Sequence, residues 1–213
     1  MMIVFKVFRL TMLSICALIV TGCAFGSKMS FDKTRLALPP SKGQVVVAVW
    51  DARPYVLTGE KSSKWVGLQR SGFGIPYGVH TASGQPLSNE FAQSIVASFN
   101  SSGTNAHSIN LPPTVADRAA VIKDLPTVGK VVLLEISQWK TDTMADVNFD
   151  YALKLSVLNN GKVSVTEQLE GNEKLAGSAW NPVGKSERLA VQKQKEKLEQ
   201  LFASSTIAKA LAK

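Results

Sequence analysis

Between Ala145 and Leu169 the chain alternates so regularly that few architectures can accept it. Ala145, Val147, Phe149, Tyr151, Leu153, Leu155 and Val157 hold odd positions, with Asp146, Asn148, Asp150, Lys154 and Ser156 between them. Period two describes a strand with one covered face and one wet face. Asn159-Asn160-Gly161 interrupts the pattern, and Val163, Val165 and Leu169 resume it. An antiparallel hairpin follows. A two-residue Asn160-Gly161 loop would set Val157 opposite Ser164 and mix the faces. A three-residue loop over 159–161 pairs Val157 with Val163 and Leu155 with Val165, with Gly161 left-handed. A one-residue slip turns every side chain over, so the three-residue loop is the expectation.

The segments around this hairpin decide what it packs against. Gln44 to Trp50 is a β-branched run apolar on both faces, which suits an interior strand. Residues 128–139 contain Val131-Val132-Leu133-Leu134, the strongest strand signal, and should lie at the sheet centre. Over 86–100, Leu87, Phe91, Ile95 and Phe99 recur every four residues, a helical stripe with Pro86 in its first turn. A short strand is expected over 104–109. Pro112-Pro113-Thr114 should start a short helix with Val115, Ala119 and Ile122 inward, ended by Pro126. A closing helix over 186–203 turns Leu189, Val191, Leu198, Leu201 and Phe202 inward, and Ser204-Ser205-Thr206 interrupts the stripe that Ile207 and Leu211 continue. Residues 172–184 read as irregular. The predicted class is α+β over 44–213: a single mixed sheet with helices packed mainly on one face. The order is strand, helix, strand, helix, strand, strand, strand, helix.

The N-terminus points to export. Lys6 and Arg9 precede the weakly polar-to-apolar run from Leu10 to Val20, too short to span a bilayer of about 20 residues. Val20-Thr21-Gly22-Cys23 follows directly and resembles the lipobox of bacterial lipoproteins. That resemblance implies a signal peptide over 1–22, cleavage before Cys23, and a diacylglycerol on its thiol. It also implies localisation at a membrane facing the periplasm. Cys16 would leave with the signal, so no free thiol would remain, which suits an oxidising compartment. Ala24 and Phe25 stand where an inner-membrane retention Asp commonly sits, which favours the outer membrane. Residues 23–43, with Pro39-Pro40 and Gly43, lack a period and read as a lipidated tether of at most roughly 65 Å.

Lys plus Arg outnumber Asp plus Glu by 24 to 16, a formal charge of +8. Such a surplus can mark nucleic-acid binding, but export makes nucleic acid an unsuitable partner, and anionic lipid or cell-wall polymer are the weak partners that charge would suit. Lys193, Lys195 and Lys197 alternate with Gln194 and Glu196 and read as a solvated helix face. The sequence holds no His-Glu-x-x-His, Gly-x-Ser-x-Gly or phosphate loop, and His80 and His107 stand apart. No catalytic residue, metal or cofactor is expected, and the chain does not read as an enzyme.

Residues 51–85 are the anomaly, since about 35 residues without clear structure are uncommon in a compact domain. Tyr55, Trp65, Leu68, Phe73, Ile75 and Tyr77 stand here among glycines, with Arg53, Lys64 and Arg70. Residues 64–70 could form a strand. Arg and aromatic residues are enriched at binding hot spots, so Arg53, Tyr55, Trp65, Arg70, Phe73 and Tyr77 are the candidate partner-binding set. The competing reading is an extra hairpin that covers the open face or edge of the sheet, with the aromatics as its own core. A small apolar ligand or lipid between the sheet and this segment is the alternative to a protein partner.

The lipobox, the wet-faced hairpin with its Asn-Gly turn and the closing helix resemble the YajG-like uncharacterised lipoproteins of proteobacteria. The element order is also similar to the N-terminal domain of TolB. These resemblances imply a periplasmic envelope protein anchored in the outer membrane, acting as a binding or assembly partner without known chemistry.

Overall fold

The computed structural model describes residues 27–111, 117–178 and 180–213. The signal over 1–22, Cys23 and the expected helix start at 112–114 with Val115 lie outside the described residues. Eight strands form one mixed sheet: β1 Lys28–Met29, β2 Val45–Asp51, β3 Trp65–Arg70, β4 Pro76–Thr81, β5 Ala106–Ile109, β6 Lys130–Thr143, β7 Val147–Asn159 and β8 Lys162–Leu175. Five helices join them: α1 Pro54–Leu57, α2 Leu87–Ser101, α3 Arg118–Lys123, α4 Pro182–Phe202 and α5 Ser205–Ala212. The α+β class with one mixed sheet is as expected.

The sheet is organised by β6. One edge pairs antiparallel with β7 along its whole length, and β7 pairs antiparallel with β8. The other edge is shared in sequence. Val45–Asp51 takes Lys130–Ile136 in parallel, and Gly67–Gln69 takes Thr141–Thr143 in parallel. β5 flanks β2 in parallel, while β4 pairs antiparallel with β3 and parallel with β1. Val132, Leu134 and Ile136 face the main core with α2, α4 and α5, while Val131 and Leu133 face a smaller core with Val121 and Leu125. A bulge between Ile136 and Gln138 resets the alternation, so Trp139 returns to the main core.

The hairpin differs from expectation in its turn. Asn160 and Gly161 both have positive φ, 49° and 75°, as a two-residue hairpin turn requires, and Asn159 pairs with Lys162. A bulge at Ser164 then restores the faces. Leu158 lies opposite Val163 and Val157 opposite Val165, so Leu155 meets Glu167. The three-residue loop is therefore wrong, although Gly161 is left-handed as expected. The sequence argument weighed loop length alone, and a bulge repairs the mismatch that a short loop creates. β8 also runs to Leu175 and α4 starts at Pro182, both beyond the expected limits. Asp117 caps α3 by accepting from the amides of Ala119 and Ala120, and Val121 is its buried residue, while Ala119 is exposed. Pro86 caps α2 from outside the first turn.

Residues 27–43 are not a tether. Phe31 is buried in the main core, its ring 5.7 Å from Phe91 and 6.0 Å from Trp139. This strap crosses between α2 and α4, and its backbone is satisfied by their side chains. Glu90 Oε2 accepts the Phe31 amide at 2.8 Å, Ser98 Oγ accepts the Leu36 amide at 2.9 Å, and Ser94 Oγ donates to the Thr34 carbonyl at 2.7 Å. From α4, Gln194 Nε2 donates to the Phe31 carbonyl at 3.1 Å and Oε1 accepts the Thr34 hydroxyl at 2.6 Å. Buried polar groups persist where they are hydrogen-bonded, so these helix positions are polar because the strap needs partners. Glu90→Ala should destabilise the fold by about 2–3 kcal/mol, since it strips a buried amide of a charged acceptor. Thermal melting with hydrogen exchange at Phe31 checks this.

Lys197 is not on a solvated face. It is buried, 2.5 Å from Glu173 and 4.6 Å above the Tyr151 ring, while Lys193 lies 2.7 Å from Glu173. Desolvation pushes the Glu173 carboxyl up, but hydrogen bonds and charge from Lys193 and Lys197 prevail and hold it at about 2, below the ordinary 4.5. A depressed folded pKa stabilises the fold fully above pH 4.5, and that contribution drains away as pH falls toward 2. Acid unfolding should steepen across this window, and Glu173→Gln should flatten it.

Candidate functional site

The 51–85 segment contains the hairpin that the competing reading anticipated, and it lies along an edge of β6 rather than over the face of the sheet. β2 ends at Asp51, and the chain must vacate the β6 edge before β3 can take it up. Arg53 makes that corner. Its guanidinium is fully buried and binds both Asp51 carboxylate oxygens at 2.7 Å, the Trp65 carbonyl at 2.6 Å and the Ser63 carbonyl at 3.0 Å. All three guanidinium nitrogens are engaged within the protein, so Arg53 holds the corner together and is not an exposed contact.

The other candidates divide by location. Trp65 is buried, edge-on to the half-buried Tyr55 at 5.2 Å, and Tyr55 Oη donates to the Trp139 carbonyl at 3.3 Å. Burial pushes the Tyr55 phenol above its ordinary value, against the pull of Arg53. Tyr55, Trp65 and Leu68 form one wall of a cleft of about 330 Å³, completed by Pro54, Glu60, Lys61, Gln138 and Lys140. Arg70 grips Asp142 through two 2.7 Å hydrogen bonds, which hold the Asp142 carboxyl below the usual range. This pair fastens β3 to the end of β6. Gly67 sits at the closest approach of those strands, where an added Cβ would fall 2.3 Å from the Thr141 carbonyl.

Phe73 and Tyr77 lie elsewhere, on the β3–β4 turn and at the start of β4. Phe73 is 96% exposed, between Gly72 and Gly74, and Ile75 and Tyr77 beside it are also exposed. Phe73 therefore takes no part in a core shared by the segment's aromatics, whereas Trp65 is buried. The six candidates therefore form a buried corner, a half-buried cleft and an exposed tip.

Composition did not reveal a second groove. Ser30, Lys33, Thr34 and Arg35 of the strap face Glu187, Arg188, Val191, Gln192 and Lys195 of α4 across a volume of about 680 Å³. Among the described residues, no group of three His, Cys, Asp or Glu could hold a metal ion, and no helix is long and apolar enough to cross a membrane.

No protein-family profile and no curated protein matches the sequence. Solved structures do share its fold. The DUF330 protein XCC0632 of Xanthomonas campestris is 14% identical, with a TM-score of 0.52 over 87% of this chain and 95% of that one. At that identity the likeness concerns the fold alone. Weaker matches are PelC of Paraburkholderia phytofirmans, a dodecamer, at 14% identity, 85% and 95% coverage and a TM-score of 0.36. Lipoprotein GNA1162 of Neisseria meningitidis follows at 14% identity, 71% and 96% coverage and a TM-score of 0.28.

Arg53→Ala should lower stability by about 3–5 kcal/mol, because it leaves Asp51 as an unpaired buried charge. Tyr77→Ala, on the exposed tip, should stay within about 0.5 kcal/mol. Denaturant unfolding of the two variants distinguishes corner from tip.

Proposed function

We propose that this chain is a lipid-anchored protein of the outer membrane's periplasmic face, of the YajG-like kind, which acts without catalysis by binding another envelope component. Val20-Thr21-Gly22-Cys23 supports the anchor, and a fold shared with a DUF330 protein suits the family. The observation that carries binding is the 96% exposure of Phe73 on a turn that also presents Ile75 and Tyr77. Exposed apolar clusters of this kind mark interaction surfaces. The alternative, a small apolar ligand held between sheet and segment, is less well supported. Four of the eight residues lining the Tyr55–Trp65 cleft are polar or charged, and Phe73 is not among them.

Mass spectrometry of the protein from membranes should find Cys23 as an acylated N-terminus, and Cys23→Ser should give an uncleaved or soluble form. An unmodified Cys23 in the wild type would refute the anchor. A photo-crosslinking residue at position 73 should yield an adduct with an envelope component in intact cells. No adduct at 73, 75 or 77 would refute the binding surface.

A further inference from the structure

Eight large hydrophobic side chains are exposed among the described residues, and six gather at one end of the sheet. Phe73 and Ile75 are on the β3–β4 turn, Tyr77 is the second residue of β4, Met144 follows the last residue of β6, Trp180 precedes α4 and Val183 lies in its first turn. The topology makes these one end. β3 runs parallel to β6, so Arg70 and Thr143 finish together, and β7 opens there with Val147 opposite Leu175, the last residue of β8. The Thr143 hydroxyl lies 2.8 Å from that of Ser186, which brings the first turns of α4 to the same end. Trp180 is 99% exposed. The remaining two, Val128 and Val163, flank the opposite end, where Lys130 pairs with Asn159.

The described chain enters the sheet at β1, whose direction is set by β4. β1 is parallel to β4, with Lys28 opposite His80, and the Ser27 carbonyl accepts the His80 amide at 3.2 Å. β4 runs away from the apolar turn, so β1 runs away from it too, with Lys28 level with His80 near the far end of β4. Cys23 is four residues before Ser27 and reaches at most roughly 14 Å from it. Pro76 is four residues before His80, about 13 Å toward the turn at about 3.3 Å per residue. An acyl chain on Cys23 therefore holds the bilayer within reach of Phe73 and Ile75. The row β1-β4-β3-β6-β7-β8 is roughly 24 Å wide at about 4.8 Å per strand, so three separate loops present a broad base and not a point.

We propose that this end of the sheet is a membrane-docking surface, which lies on the phospholipid leaflet that holds the anchor. The proposal rests on the lipid anchor at Cys23 and names the envelope component that the exposed tip meets. The surface chemistry matches an interface. Trp and Tyr favour the headgroup level, where an apolar ring and a polar tip are both satisfied, while Phe and Ile enter the acyl boundary. Arg70, Lys174 and Lys185 stand at this end with Asp142 and Asp146 as counter-charges. The positive surplus suits anionic headgroups. The diacylglycerol on Cys23 supplies the two acyl chains that stable attachment needs. The docking surface adds a fixed orientation, with the opposite end of the sheet turned away from the bilayer.

The test uses the full, lipidated chain in vesicles of phosphatidylethanolamine and phosphatidylglycerol. Cys16 leaves with the signal and Cys23 is acylated, so Phe73→Cys, Trp180→Cys and Val128→Cys each carry one thiol for an NBD fluorophore. Flotation and the mass of Cys23 report the anchor. Phospholipids bearing a nitroxide report contact with lipid. The expected result is flotation of all three proteins, with quenching severalfold greater at 73 and 180 than at 128. Flotation with equal, weak quenching at all three positions would overturn docking and leave the anchor standing. Blue-shifted emission at 73 without quenching would assign the surface to a second copy and overturn docking equally. Loss of flotation with an unmodified Cys23 would overturn the anchor and docking together.

Discussion

The hydrogen bond from the Phe31 amide to the buried Glu90 carboxylate holds the N-terminal strap in the core, and the placement of every other surface follows from it. With the strap held, β1 is committed to β4, and its parallel direction has it run away from the apolar end of the sheet. Without it, residues 23–43 would be a line about 65 Å long, and no face of the domain would have a fixed relation to the membrane. Ser94, Ser98 and Gln194 complete the clasp from two helices. Polar side chains thus sit on otherwise apolar helix faces because they replace the sheet partners that an irregular segment lacks.

A second constraint is the divided edge of β6. Two parallel strands share one edge of a fourteen-residue strand, and the chain between them must leave and return without an unpaired corner. Arg53, held by the Asp51 carboxylate, solves this by donating to the carbonyls of Ser63 and Trp65. The Arg70–Asp142 pair does the same for the far end of β3. Both arginines belong to the scaffold, and the exposed turn beyond them is what that scaffold presents.

Legibility in the sequence follows the physics of each element. The β7 alternation was readable because one of its faces is covered throughout and the other is wet. The α2 stripe was readable because Leu87, Phe91, Ile95 and Phe99 all pack on one core. The strap was not, since Met29, Phe31 and Leu36 follow no period, and their partners lie about 60 and 160 residues away. Its trace was nevertheless present, as Glu90, Ser94 and Ser98 form a polar line at four-residue spacing beside that apolar stripe. The candidate set mixed roles because Arg and aromatic residues look alike by composition whether they close a corner or project from a turn. Met144, Trp180 and Val183 were missed because nothing local joins three loops that only the sheet brings to one end.

The account makes the apolar end of the sheet the face that meets the bilayer. Hydrogen exchange of the lipidated protein, compared between detergent and vesicles, tests this most directly. The account predicts slowed exchange on vesicles confined to residues 71–77, 144–147 and 180–184. Unchanged exchange in those loops, or protection centred on residues 128–130 and 159–163 at the opposite end, would contradict it.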